Sequence, residues 1–485
     1  MPRPALLSDP LQPYIPSADK PWDARRVMHL YRRLGFGAAL PQIEQGLLMS
    51  PEALVDQLLD TAAALPAPQP PYWANYTRTD YNYDLNLINQ HFQELRRRWV
   101  REMIDEGVRS RMALFWHNHF VTEQTVYYWN AYAWNYYDLL HRHAFGNFRD
   151  FVLAIAKCPA MLVYLNGNQS VAGNPNENYA RELMELFTMG ESNGYTQMDI
   201  VEMSRALTGW ELAQGYQNIP VFNPALHDET PKTIFGVTGN FGFDEAHQII
   251  FTERAQQVSE FICRKLYKHF VYEHPDPEVI EGLAATFRAN GWDILPVVRQ
   301  LLKSEHFFED RHINVRIKMP FEIMTHLYKM ANGQTDIQDT WLDMAHNFWA
   351  FLLGQDIFTP PNVAGWPGYR AWINENTMTF RWQFASSTVF NISYTQTMRE
   401  HLRTLALTLS NGSNDPVVIV SALTAFLFNM KIEPVHLEGA VIAFKTNIPQ
   451  NYFDDGSWNL YWDEAPTQVA QMLYYVVKIP EFQLT

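Results

Sequence analysis

The chain has 485 residues, with 37 Lys and Arg against 52 Asp and Glu and a formal net charge of −15. That balance excludes a general nucleic-acid binder, which needs a cationic surplus to neutralise phosphates, and it argues against adsorption to an anionic membrane. Hydrophobic residues make up 47% and aromatic residues 14%, enough for an extensive core and too much for wholesale disorder.

Two cysteines, Cys158 and Cys263, make neither a disulfide framework nor a thiolate zinc site, and buried thiols are expected. Residues 1–23 carry six prolines and no apolar run of the secretory kind, so a cytoplasmic protein is expected, with export by another route left open. The most apolar stretch, residues 151–165, contains Lys157 and Pro159 and is shorter than the roughly 20 residues a transmembrane helix needs.

In chain order, apolar spacing predicts a helix over 23–34 stopped by Gly35, and Ser50-Pro51 opens another to about residue 59. Residues 64–76 are Pro-rich and read as a loop. Helices are predicted over 85–105, 109–121, 127–143 and 148–157. Two more follow over 176–189 and 196–207, the second opened by a pattern close to a capping box. Residues 209–243 lack helical periodicity and read as one long loop. Helices resume over 254–272, 278–290, 294–303, 318–331 and 337–353. Residues 358–376 form another non-helical island, and 382–485 hold broken helical stretches. The expected fold is all-α, a multi-helical orthogonal array with long aromatic, Gly- and Pro-rich loops. An N-terminal extension (1–23) precedes a main helical domain (24–390), with a C-terminal helical region (391–485) packed on it.

Four polar clusters stand out against this apolar background. Trp116, His117, Asn118 and His119 end a buried-looking helix; residues two apart point to different faces, so the histidines share one metal only if the helix stops there. They read either as core histidines or as ligands and bases, since imidazole serves both ends. In the second cluster Asn178, Glu182 and Glu185 share a face, and Arg181 lies four residues from both Glu177 and Glu185. That is either a solvated ion-pair lattice or a pair of acid/base or ligand carboxylates. The third is His227-Asp228 with Lys232, before Gly236, Gly239 and Gly242; the lysine precedes the glycines, so this is no phosphate-binding P-loop. The fourth, residues 359–368 with Trp372, holds Asn362 and Trp366 in a rigid Pro/Gly turn. It suits stacking on a sugar or peptide, or a wedge that closes the core.

Together these support two expectations. One is a metal-assisted hydrolase or lyase. His117, His119, Glu185 and His227 would ligate a divalent ion (Zn, Mn or Fe), a mixed N/O site without thiolate. Glu182 and Asp228 would move protons, and Arg181 and Lys232 would stabilise developing negative charge. Trp116, Asn178, Trp210, Asn362, Trp366 and Trp372 would contact a glycan or peptide-like substrate. The other is a non-catalytic binding or partner protein whose polar clusters are buried structural networks.

The motif order also resembles a bacterial family, domain of unknown function 1800. The matching pieces are His29-Leu30-Tyr31-Arg32-Arg33-Leu34-Gly35-Phe36-Gly37, the 115–120 stretch, Gly146-Asn147-Phe148-Arg149-Asp150 and residues 174–183. They continue through Ala206-Leu207-Thr208-Gly209-Trp210, His227-Asp228 with Lys232-Thr233, and Pro360-Pro361-Asn362-Val363 with Gly365-Trp366-Pro367. The resemblance covers about residues 24–385. It implies a mainly helical bacterial protein, commonly exported in its relatives and often encoded beside a sulfatase-like family, which would make such a protein a partner.

Overall fold

The computed structural model describes residues 9–212, 219–333 and 337–485. Local sequence signals explain most helix boundaries. Asp23 caps Ala24–Gly35 by accepting from the amide of Arg26 at 3.0 Å, and Ser50 caps Pro51–Ala63 through the amide of Ala53 at 3.2 Å. Thr196 and Asp199 form a reciprocal capping box on Gln197–Ala206. Leu85–Asp105 buries Ile88, Phe92, Leu95, Trp99 and Met103, a run of three- and four-residue steps that lays one stripe on the core. Ile294–Lys303 buries Ile294, Val297, Val298, Leu301 and Leu302 in the same way.

The architecture is mainly all-α and multi-helical, and its buried apolar residues form one contiguous core. Cys158 and Cys263 are both buried in it as free thiols. The C-terminal residues are seated on the rest: Arg32 donates to the carbonyls of Phe426, Leu427 and Phe428 at 3.0–3.1 Å, and Arg316 and Thr485 exchange backbone hydrogen bonds. No described helix is long and apolar enough to cross a membrane.

Several local expectations need correction. Gly35 is still helical; Phe36 takes the left-handed position at φ 66°, held there by burial of its ring beneath the guanidinium of Arg111. The predicted helix over 127–143 breaks at Tyr128 (φ 67°), leaving Gln124–Tyr127 and Asn130–Arg142. The long loop after Gly209 contains two small antiparallel strand pairs. Trp210–Leu212 pairs with Pro220–Phe222, and Lys232–Ile234 pairs with Val237–Gly239. Phe243–Glu253 is a helix lying between the predicted loop over 209–243 and the helix predicted from 254, where no element is predicted.

Two helices widen into π-helix, over Leu183–Thr188 and Ala345–Trp349. The first continues from Glu177–Glu182 and ends with Thr188 Oγ1 donating to the carbonyl of Leu183 at 2.5 Å. A π turn spaces its carbonyls for i+5 bonding, a local irregularity that often marks a working site.

Candidate functional site

A cleft of about 280 Å³ opens between the end of the helix Val108–His119, the helix Ala255–Phe270, the 316–319 segment and the Trp366–Trp372 loop. It joins two of the four clusters read from the sequence, the first and the fourth.

Asn118 builds the junction. Its side chain accepts the amide of Trp366 at 2.6 Å and donates to the carbonyl of Trp366 at 3.2 Å. The approach requires glycine at 365: φ is +82°, and a Cβ there would lie 2.3 Å from Asn118 Oδ1 and 2.6 Å from the Asn118 carbonyl oxygen. Asn362 prepares the turn by accepting the amide of Ala364 at 2.9 Å. Trp366 and Trp372 are thereby set into the cleft wall, both mostly buried.

The two histidines do face apart, as their spacing predicts. Nε2 of His117 accepts the amide of Phe358 at 2.9 Å, so its proton sits on Nδ1, 2.7 Å from Tyr136 Oη, and Tyr136 donates to the carbonyl of Phe120 at 2.9 Å. Both nitrogens of His117 are engaged, and burial pushes its pKa down to about 3. It is a neutral structural link with no lone pair left for a metal, which corrects its reading as a ligand.

His119 points the other way, into the cleft wall. Its Nε2–H donates to the carbonyl of Phe187 at 2.9 Å, leaving Nδ1 as acceptor for Lys265 Nζ at 3.0 Å. The π turn supplies both the Phe187 carbonyl and that of Leu186, which Lys265 reaches at 3.4 Å. Burial first, then the charge of Lys265, hold the His119 pKa well below its ordinary value. Burial alone brings Lys265 down to about 8.

The cleft is cationic. Lys265, Lys268 and Arg316 line it beside the ring of His269, against one carboxylate, Glu273, which Lys268 already pairs at 2.7 Å. Nη1 of Arg316, Nε2 of His269 and Nε1 of Trp366 are buried and have no hydrogen-bond partner among the described residues. Behind them the buried Arg111–Glu322 pair, 2.7 Å apart, leaves Arg33 and Arg316 in excess. Burial, then the guanidinium charges of Arg111, Arg316 and Arg33, press the His269 pKa well below its ordinary value.

The remaining expected site residues lie elsewhere. Trp116 is fully buried, donates to the carbonyl of Ala144 at 3.0 Å and stacks on Phe120 and Phe148; it is core, not a substrate contact. Arg181 holds Glu177 at 3.1 Å, Gln197 at 3.0 Å and Glu185 at 3.4 Å, the ion-pair lattice that was one of its two readings. Burial, then the carboxylate of Glu185, raise the pKa of Glu182 against the pull of Arg181. Asn178 is exposed on the same helix.

Asp228 accepts from Arg205 at 2.8 Å and from the amide of Thr230 at 2.9 Å, and Lys232 donates to its backbone carbonyl. Burial works to raise the Asp228 pKa, but the hydrogen bonds from Thr230 and Arg205 outweigh it and hold the carboxyl well below the usual range. So weak a base is unsuited to proton abstraction at neutral pH, a correction to that expected role. His227 Nδ1 lies 2.9 Å from the carbonyl of Thr208, and Trp210 packs on Phe243 under Lys157. These two groups flank the helix Gln197–Ala206 from either side, through Glu177–Gln197 and Arg205–Asp228, and neither lines the cleft.

Residues 29–484 match the family model described as Protein of unknown function (DUF1800). The chain belongs to this family. No curated protein and no solved structure matches it. The DUF1800 match runs on through the C-terminal helical region, well past the motifs that carry the resemblance, and spans every residue of the cleft.

Sequence reading missed Lys265, Lys268, His269 and Arg316. The first three stand at i, i+3 and i+4 on one helix, a basic face that signals itself only once a partner wall is known. Arg316 lies in a connecting segment without periodicity.

Proposed function

We propose that the protein takes a small anionic molecule into the Asn118–Lys265–Arg316 cleft and acts on it as a hydrolase or lyase. The observation that carries this reading is a cationic cleft with unpartnered donor nitrogens in a chain of net charge −15. Lys265, Lys268 and Arg316 give the cleft the positive charge that an anionic group would meet. The partly exposed ring of Tyr369, backed by the mostly buried Trp366 and Trp372, suits the apolar face of a sugar or a peptide-like ligand.

Lys265 is the reacting base in this scheme. With its pKa near 8, roughly a tenth of the side chain is the neutral amine at pH 7. That amine takes a proton from water or from a substrate carbon, while Arg316 stabilises the negative charge that develops. A divalent metal, if it assists, would need a ligand set other than the expected one, because His117 is fully engaged and Asp228 is held by Arg205 and Thr230.

A second reading, a non-catalytic binding protein, is favoured by the closed hydrogen-bond network around His117. It shares the cleft and omits the chemistry. Screening wild type and Lys265→Met against sulfate, phosphate, uronates and their esters separates the two. Turnover lost with retained anion affinity supports the enzyme; anion binding without turnover in the wild type supports the binder. No stabilisation by any of these anions above that of chloride at equal ionic strength overturns both.

A further inference from the structure

We propose that His306, Glu309 and His312 form a binding site for one divalent transition-metal ion, with zinc the ion that fits. One ligand atom from each lies within 4.8 Å of the others, the one such group of three among the described residues. Both histidines are buried and Glu309 is partly so, on a turn that continues directly from the helix Ile294–Lys303.

The outer nitrogens of both rings are already tied down. His312 Nδ1 donates to the carbonyl of His306 at 2.7 Å, which fixes its tautomer and leaves the lone pair on Nε2. His306 Nε2 lies 2.8 Å from Tyr267 Oη, which leaves Nδ1 facing Glu309 Oε1 at 4.0 Å. Anchoring the second nitrogen to an oxygen is how metal-binding imidazoles are oriented. Glu309 divides its oxygens: Arg311 takes Oε2, and Oε1 is free for an ion. Two imidazoles and one carboxylate suit zinc and its neighbours better than the all-oxygen preferences of magnesium or calcium.

The turn is also preorganised. Ser304 Oγ accepts the amide of Phe307 at 3.1 Å, and the Phe307 and Phe308 side chains are locked in the core. The first long helix is fastened to it: Asp310 pairs with Arg26 at 2.8 Å, the His312 carbonyl accepts from Arg33 at 2.8 Å, and the Phe307 carbonyl accepts from His29 at 3.1 Å. The N-terminal segment lies on it as well, through Pro10 and Gln12. An ion here clamps the turn that both are seated on. The site is separate from the cleft and does not rest on its proposed chemistry.

The test uses full-length protein purified without a metal-affinity column and stripped with chelator. Titration with Zn²⁺, and with Co²⁺ followed by its visible absorption, is expected to show one ion per chain and a rise in melting temperature. Tyr267→Phe, which removes an outer partner, should weaken binding by roughly 10–100-fold. Glu309→Gln and His312→Gln should weaken it further. Glu309 is partly exposed, so its variant keeps the test decisive if a histidine variant does not fold. Absence of stoichiometric zinc in the wild type overturns the proposal, as does unchanged affinity in a folded Glu309→Gln protein.

Discussion

Lys265 donates to Nδ1 of His119 at 3.0 Å, and His119 is committed to accepting because its Nε2–H is held by the Phe187 carbonyl. A buried amine is thus fixed by a neutral acceptor and not by a carboxylate, which leaves its charge uncompensated.

That relationship has a pH signature. The folded pKa of Lys265 is depressed from 10.5 to about 8, so between those values the unfolded chain binds more protons and stability rises with pH. The desolvation cost is fully present below pH 8 and is relieved as pH climbs toward 10.5. The stability of wild type relative to Lys265→Met should therefore improve across that window, by at most about 1.4 kcal/mol per pH unit. Denaturant melts of both proteins at pH 7, 9 and 10 read the slope; a flat difference would count against a buried, charged Lys265.

Gly365→Ala should cost about 2–4 kcal/mol, since a Cβ meets both Asn118 oxygens and φ is left-handed. If the protein stays folded, the Trp366 loop must move, and the affinity for anions should fall with it. Urea melts and anion titrations on one preparation check both.

The buried Arg111–Glu322 pair gives an asymmetric expectation. Glu322→Gln leaves three guanidinium groups facing each other and should destabilise by about 3–5 kcal/mol, whereas joint replacement of Arg111 and Glu322 by methionine should be milder. Burial tends to raise the Glu322 pKa, but Arg111 and Arg316 outweigh it and keep it below its ordinary value. Its contribution is present above pH 4.5 and is lost as pH falls through the lower folded value. Acid denaturation should accordingly shift in the glutamine variant.

His117→Ala should cost about 2–4 kcal/mol by removing a ring and orphaning the Phe358 amide, with no change in metal content. Metal analysis beside thermal melts distinguishes this link from a ligand.

Legibility followed periodicity. Leu85–Asp105 and Ile294–Lys303 could be read to the residue because their apolar spacing is regular, and Asp84 also caps the first. The opposed faces of His117 and His119 were also readable, and so was the rigid turn that carries Trp366 and Trp372. The π segment over Leu183–Thr188 was not, because its residues are ordinary helix formers and the widening is set by tertiary partners. Lys265 and Arg316 were hidden for another reason: a lone cation in sequence looks solvated until the fold buries it. His306 carries no signal in the sequence, since its relation to His312 depends on a turn that no simple period describes.

The widened turn at Leu183–Thr188 amounts to one residue more than an ideal helix would hold. Deleting a single residue there would restore regular pairing and strengthen the helix in isolation. It would also rotate the Leu186 and Phe187 carbonyls away from Lys265 and His119, untying the cleft from within. Local regularity and a working cleft are therefore alternatives at this position, and a shortened homologous sequence would be expected to have given up the latter.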